Sequence, residues 1–270
     1  MKLQKAPLAT SGLILGLLGL GNLLKDISLI LNAICGILAI LIWLHLLYSM
    51  FHNFNHVKDQ LNNPLVASVF TTFFMSGFLV TTYLNTFFSN VTVINQFIIP
   101  LWVVCLIGML LHMTIFSMKY LKRFTLENVY PSWTVLYIGI AIAGLTAPVS
   151  GYYIIGKASV IYGFLATCIV LPIVFKRLKA YPLQRSIKPN TSTICAPFSL
   201  VAAAYVLTFP NANSYIIIIF LVLSQFFFLY RFTVTTIIKS TFFTSVFSFY
   251  ISVSHLSNCF KKQYVSIGIS

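Results

Sequence analysis

An all-α polytopic membrane protein is predicted by three features of the sequence. Charged residues make up 7% of its 270 residues and hydrophobic ones 59%, whereas a soluble surface needs roughly a quarter charged. The mean hydropathy is +0.94. Apolar runs recur along the whole length, each near the roughly 20 residues that carry a helix across about 30 Å of hydrocarbon. The 17 Lys and Arg sit almost entirely between those runs, which leaves one transmembrane domain, residues 1–270, and no soluble module. Runs of this length exclude a transmembrane barrel.

Taken in order, span 1 covers residues 8–24. It follows Lys2 and Lys5 and lacks a small-residue cleavage site before Lys25, so it reads as a span and not as a signal peptide. Span 2 is placed at residues 27–50 and is followed by a polar loop, 51–63. Span 3 covers 64–88 and span 4 covers 93–118. A loop with Lys119, Lys122 and Arg123 leads to span 5, 131–149. A tight Ser150-Gly151 turn precedes span 6, 152–175. The most basic loop (Lys176, Arg177, Lys179, Arg185, Lys188) precedes span 7, 193–209. Span 8 is 214–230 and span 9 is 240–259, followed by too few residues for another span. The expectation is therefore nine spans, with a tenth missing.

Positive loops stay cytoplasmic. With the N-terminus inside, every Lys and Arg except Lys25, Lys157, Lys261 and Lys262 falls on the inner side. A multi-pass protein of the cell membrane with a cytoplasmic N-terminus is expected. Short outer turns join spans 1 to 2, 3 to 4, 5 to 6 and 7 to 8, while longer basic loops separate these pairs, so the chain reads as repeated helical hairpins. Odd spans open with proline (Pro7, Pro64, Pro131, and Pro197 with Pro189 around the seventh), which is also ordinary punctuation at a helix start.

The acids narrow the chemistry. Asp26, Asp59 and Glu127 are the only three, and all fall in loops. Coupled carriers and cation pores use a carboxylate at membrane depth, so a neutral path with a positive inner rim suits anions, whose approach such a rim focuses. The positive-inside rule alone would place the same rim. No Ser-His-Asp constellation can be assembled without an acid in a span. Neither the single histidines nor the scattered Cys35, Cys105, Cys168, Cys195 and Cys259 make a metal set. No enzyme activity, cofactor, metal or nucleic-acid partner is expected. Gly12, Gly16 and Gly19, beside Ser11, form a stripe on one face of span 1 that either permits close helix packing or lines a narrow path.

The motifs Ala6-Pro7-Leu8-Ala9-Thr10-Ser11-Gly12-Leu13, Asn63-Pro64, Tyr130-Pro131-Ser132-Trp133, Ala196-Pro197-Phe198-Ser199-Leu200 and Phe247-Ser248-Phe249 together resemble the tellurite-resistance/dicarboxylate transporter family, which includes plant slow anion channels. The resemblance implies five helical hairpins, with odd helices as an inner pore ring and even helices outside, assembled as a homotrimer. It places a pore-occluding phenylalanine at Phe249 and pore-helix kinks at Pro7, Pro64, Pro131 and Pro197. Candidate pore-lining residues are Ser11, Gly12, Gly16, Ser68, Ser199 and Phe247. Asn63 stands where the family has histidine, and Tyr250 where it has proline or glycine. The leading expectation is passive transport of small anions through a pore gated by phenylalanine. A carrier or exporter of C4-dicarboxylate, sulfite or tellurite-type anions and a truncated, non-transporting membrane protein are the alternatives.

Overall fold

The first apolar run becomes α1 (Thr10–Leu24), which starts three residues after Pro7 through a tight turn, Thr10 N–H donating to Pro7 O at 3.0 Å. The computed structural model describes residues 6–234, with side chains through residue 229; span 9, with Phe247 and Phe249, lies outside the described residues. Ser28 caps α2 (Leu29–His52) by accepting from Leu31 N–H, the usual work of a serine hydroxyl at that position. The loop after it holds a short helix, α3 (Phe54–Gln60). Asn63 then caps α4 (Pro64–Phe88), its Oδ1 accepting from Leu65 N–H at 2.9 Å, with Pro64 in the first turn, where its missing N–H costs nothing. α5 (Thr92–Tyr120) is 29 residues long and contains Pro100.

Span 5 departs from the single helix expected over 131–149. It is a chain of short pieces: α6 (Trp133–Ile138), a 3₁₀ turn over Gly139–Ala141, α7 (Ile142–Leu145) and α8 (Ala147–Ser150). The Ser150-Gly151 turn forms as expected. Gly151 has φ 76°, the left-handed region open to glycine. α9 (Tyr153–Ala180) follows with Pro172 inside it. The basic loop ends in a 3₁₀ segment, Arg185–Cys195, that runs directly into α10 (Ala196–Thr208), and α11 (Ser214–Val234) closes the described part.

Five stretches among the described residues are long and apolar enough to cross a membrane: 29–52, 64–88, 92–120, 153–180 and 185–208. Shorter apolar helices occupy 10–24, 133–145 and 214–229. α1 packs on α4, α4 on α6, and α6 and α7 on α10, so the odd spans stand side by side in sequence order. Each has its hairpin partner behind it: α2 behind α1, α5 behind α4, α9 behind α6 and α7, and α11 behind α10. Burial follows this layering. The most apolar window of α4 is 72% buried, those of α2 and α5 only 28% and 22%. Exposed Leu, Ile and Phe stud α2, α5, α9 and α11, as expected of helices whose outer faces meet lipid.

Two apolar cores hold the layers together. One joins α1, α2, α4 and α5, where Trp43 stacks on Phe73 at 5.3 Å. The other joins α6, α9, α10 and α11, where Phe198 stacks on Phe227 at 5.4 Å. Trp43 also donates from Nε1 to Phe73 O at 3.2 Å, tying α2 to α4.

Candidate functional site

The sequence-derived candidates cluster at the N-terminal ends of the odd spans, and the local chemistry there repeats. In the first turn of each, a hydroxyl donates to a carbonyl three residues back: Ser11 to Leu8 O (2.7 Å), Ser68 to Leu65 O (2.9 Å), Thr134 to Pro131 O (2.7 Å) and Ser199 to Ala196 O (2.9 Å). Such back-bonding lets a short polar side chain sit among apolar neighbours without an unmet donor. Ser11 and Ser68 are fully buried and Ser199 nearly so.

The same hydroxyls tie neighbouring odd spans together. Thr72 Oγ1 lies 2.8 Å from Ser11 Oγ, linking α4 to α1. Ser132 Oγ lies 2.6 Å from Ser68 Oγ. Because Ser68 gives its proton to Leu65 O, Ser132 is the donor in that pair. Asn190 Nδ2 in turn donates to Ser132 Oγ at 3.1 Å. The result is a directed chain, Asn190 to Ser132 to Ser68 to Leu65 O, that stitches spans 3, 5 and 7 at one end. Ser132→Ala removes its centre and leaves buried Ser68 and half-buried Asn190 each short of a partner. It is expected to cost about 1–3 kcal/mol, read as a lower midpoint in denaturant unfolding of the detergent-solubilised protein.

The four prolines stand at helix starts. Pro7 and Pro131 precede α1 and α6, Pro64 opens α4, and Pro197 is the second residue of α10, at the junction with the 3₁₀ segment. The pronounced interruption of an odd span lies elsewhere, at Gly139–Ala141 and Thr146–Ala147. In α1, a Cβ built on Gly12 would meet only Val69 Cγ1, at 4.0 Å, and one on Gly16 would meet nothing within 4 Å. These two glycines therefore face open space among the described residues, and no neighbouring helix packs tightly on them.

The electrostatics are one-sided. Asp26, Asp59 and Glu127 are all exposed at helix ends or in turns, and no carboxylate enters a described span. Arg177, read from the sequence as one more loop charge, is only 5% exposed. Its Nη1 donates to Tyr181 O at 2.9 Å and its guanidinium lies 5.3 Å from the centre of the Tyr130 ring. Its Nε has no hydrogen-bond partner. A last-turn arginine offsets the negative end of its helix dipole, but no sequence signal says that it lies inward. The N-terminal, partially positive ends of α1, α4, α6 and α10 share this side with Arg177 and the basic loops. The arrangement can attract anions.

No curated protein matches the chain. The sequence pattern of a family described as "Voltage-dependent anion channel" matches residues 5–266. That family lies in the same clan as the tellurite-resistance/dicarboxylate transporters, and its members are transporters and channels and not enzymes. With its motifs, its helical hairpins and a match over nearly its whole length in agreement, the chain belongs to the voltage-dependent anion channel family.

Proposed function

We propose that the chain is a passive anion channel of the cell membrane, with the odd spans around the pore, Phe249 as its steric gate and the N-terminus in the cytoplasm. The observation that carries this reading is the absence of any carboxylate from the described spans, combined with helix N-termini and cations gathered at one end. An anion approaching that end is attracted by the basic loops and by four aligned helix dipoles, and meets no negative charge along the row.

Ser11, Ser68 and Ser199 sit along this row, but their protons are engaged with backbone carbonyls. They hold no free donor for a permeating anion. Selection then rests on charge and pore width, with little stripping of water by specific ligands. Gly12 and Gly16, which leave room on α1, support a path along that face. Phe247 and Phe249 belong to span 9, outside the described residues, and a homotrimer is the assembly that the family resemblance implies.

Phe249→Ala is expected to raise anion current severalfold in proteoliposomes at equal protein insertion, since removing a ring from a constriction widens it without touching the basic rim. An unchanged current at equal insertion refutes the gate. Saturable flux stimulated by substrate on the opposite side would replace the channel by a carrier.

A further inference from the structure

A pocket of about 250 Å³ opens between α3, α4 and α5, at the basic end of the molecule and on the outer side of the odd-span row. Its walls are apolar: Phe54 and Val57 from α3, and Ile115 and Phe116 from α5. Ala67 and His112 also line it, His112 two turns along α5 from Lys119, with Nε2 donating to Ala67 O at 2.8 Å. Ile115 is 63% exposed and Phe54 71%, so the pocket is open laterally, where the acyl chains of a bilayer would lie. The two charged residues that line it are Lys58 and Lys119, and no acid does.

The lysines differ in how they are held. Lys119 Nζ donates to Asn62 Oδ1 and to Leu61 O (3.4 Å) and sits 5.4 Å from the centre of the Tyr120 ring; Tyr120 in turn donates to Asn62 O at 2.9 Å. This end of the pocket is fixed before any ligand arrives. Lys58 is exposed, with no hydrogen-bond or ion-pair partner among the described residues. Apolar walls open to lipid beneath an unmatched positive pair complement an amphiphile with one anionic end. An inorganic anion would gain nothing from the walls, and a neutral lipid nothing from the lysines.

We propose that this pocket binds a phospholipid with an anionic head group, its chain against Phe54, Val57, Ile115 and Phe116 and its phosphate-bearing head at Lys58 and Lys119. Basic pockets beside transmembrane helices at the inner membrane surface are the setting in which such heads are recognised. The pocket opens on the outer side of the odd-span row, and its occupancy is read by mass, independently of transport.

The test is native mass spectrometry of the purified full-length chain in detergent, titrated with phosphatidylglycerol or with phosphatidylcholine of the same chains. The first phosphatidylglycerol is expected to bind at least about fivefold more tightly, and Lys58→Gln to remove about fivefold of that affinity, a lysine's worth at a membrane surface, while leaving phosphatidylcholine unchanged. Lys58 has no partners to lose, so this variant should melt as the parent does. Ile115→Trp, which fills the apolar wall and keeps both charges, should weaken the first site for either lipid. Equal binding of the two lipids overturns the proposal, as does an undiminished preference in Lys58→Gln or unchanged binding in Ile115→Trp. Displacement of phosphatidylglycerol by inorganic phosphate at matching concentrations overturns it too, by making the site one for the free anion.

Discussion

Trp102→Ala is expected to destabilise the folded protein by about 2–4 kcal/mol, read from denaturant unfolding in detergent. The Trp102 side chain is fully buried, with its ring edge-on to Phe78 at 5.3 Å and 5.7 Å from Tyr152. Its Nε1 donates to Thr146 Oγ1 at 2.8 Å, and Thr146 passes its own proton to Ile142 O at 2.9 Å. In a bilayer the unpacked helix would leave this tryptophan in lipid, so much of the transfer contribution familiar from soluble cores is lost. What remains is the cavity, lined by atoms without partners, and one unmatched hydroxyl acceptor. Trp102→Phe keeps most of the packing and loses only the bond, which within membranes averages about 0.6 kcal/mol. Equal losses for Ala and Phe would show that the bond, and not the packing, does the work. The position matters because Thr146 stands where span 5 breaks between α7 and α8, so a residue of the outer layer props the weakest segment of the inner one.

That break also marks how far sequence reasoning reaches. Span 3 was expected at 64–88 and α4 occupies Pro64–Phe88, because two strong local signals agree there: bilayer thickness sets the length and Asn63-Pro64 sets the start. Residues 137–145, in contrast, are apolar throughout, so no periodicity separates one helix from several short ones. Gly139, Gly144 and Pro148 are the local breakers, and the rest is decided by how small residues fit α9 and α10. Residues 185–192 of the 3₁₀ segment were read as loop because they are polar; its turns are held by Thr191 donating to Lys188 O at 2.6 Å and Thr193 to Asn190 O at 2.8 Å, bonds that composition does not announce. Likewise the sequence marks Ser11, Ser68 and Ser199 as small polar residues in spans, but not that their protons are committed. That depends on backbone geometry. Arg177 is the plainest case, since nothing in a basic loop tells which cation turns inward.

Gly144→Leu is expected to abolish accumulation of the folded protein or to lower its melting temperature steeply. Even Gly144→Ala should cost about 1–3 kcal/mol through overpacking. A Cβ at this position would lie 2.6 Å from Val160 Cγ2, 2.9 Å from Thr208 Oγ1 and 3.1 Å from Gly156 O. The three obstacles belong to α9 and α10, so no single helix can step aside to make room. The last of them is backbone and cannot rotate away. Thr208 cannot easily retreat either, since its hydroxyl lies 2.9 Å from Gly144 O and 2.6 Å from Ala204 O, pinning α10 to α7. Small residues at such a crossing are what let helices approach closely where no hydrophobic force drives them together. Gly16→Ala, with nothing within 4 Å of its new methyl group, is the matched control and should melt within a degree or two of the parent. If Gly144→Ala melts with that control, the contact between spans 5, 6 and 7 is looser than these distances require. If only Gly144→Ala falls, α7 is wedged between α9 and α10, and the width of the odd-span row is set there.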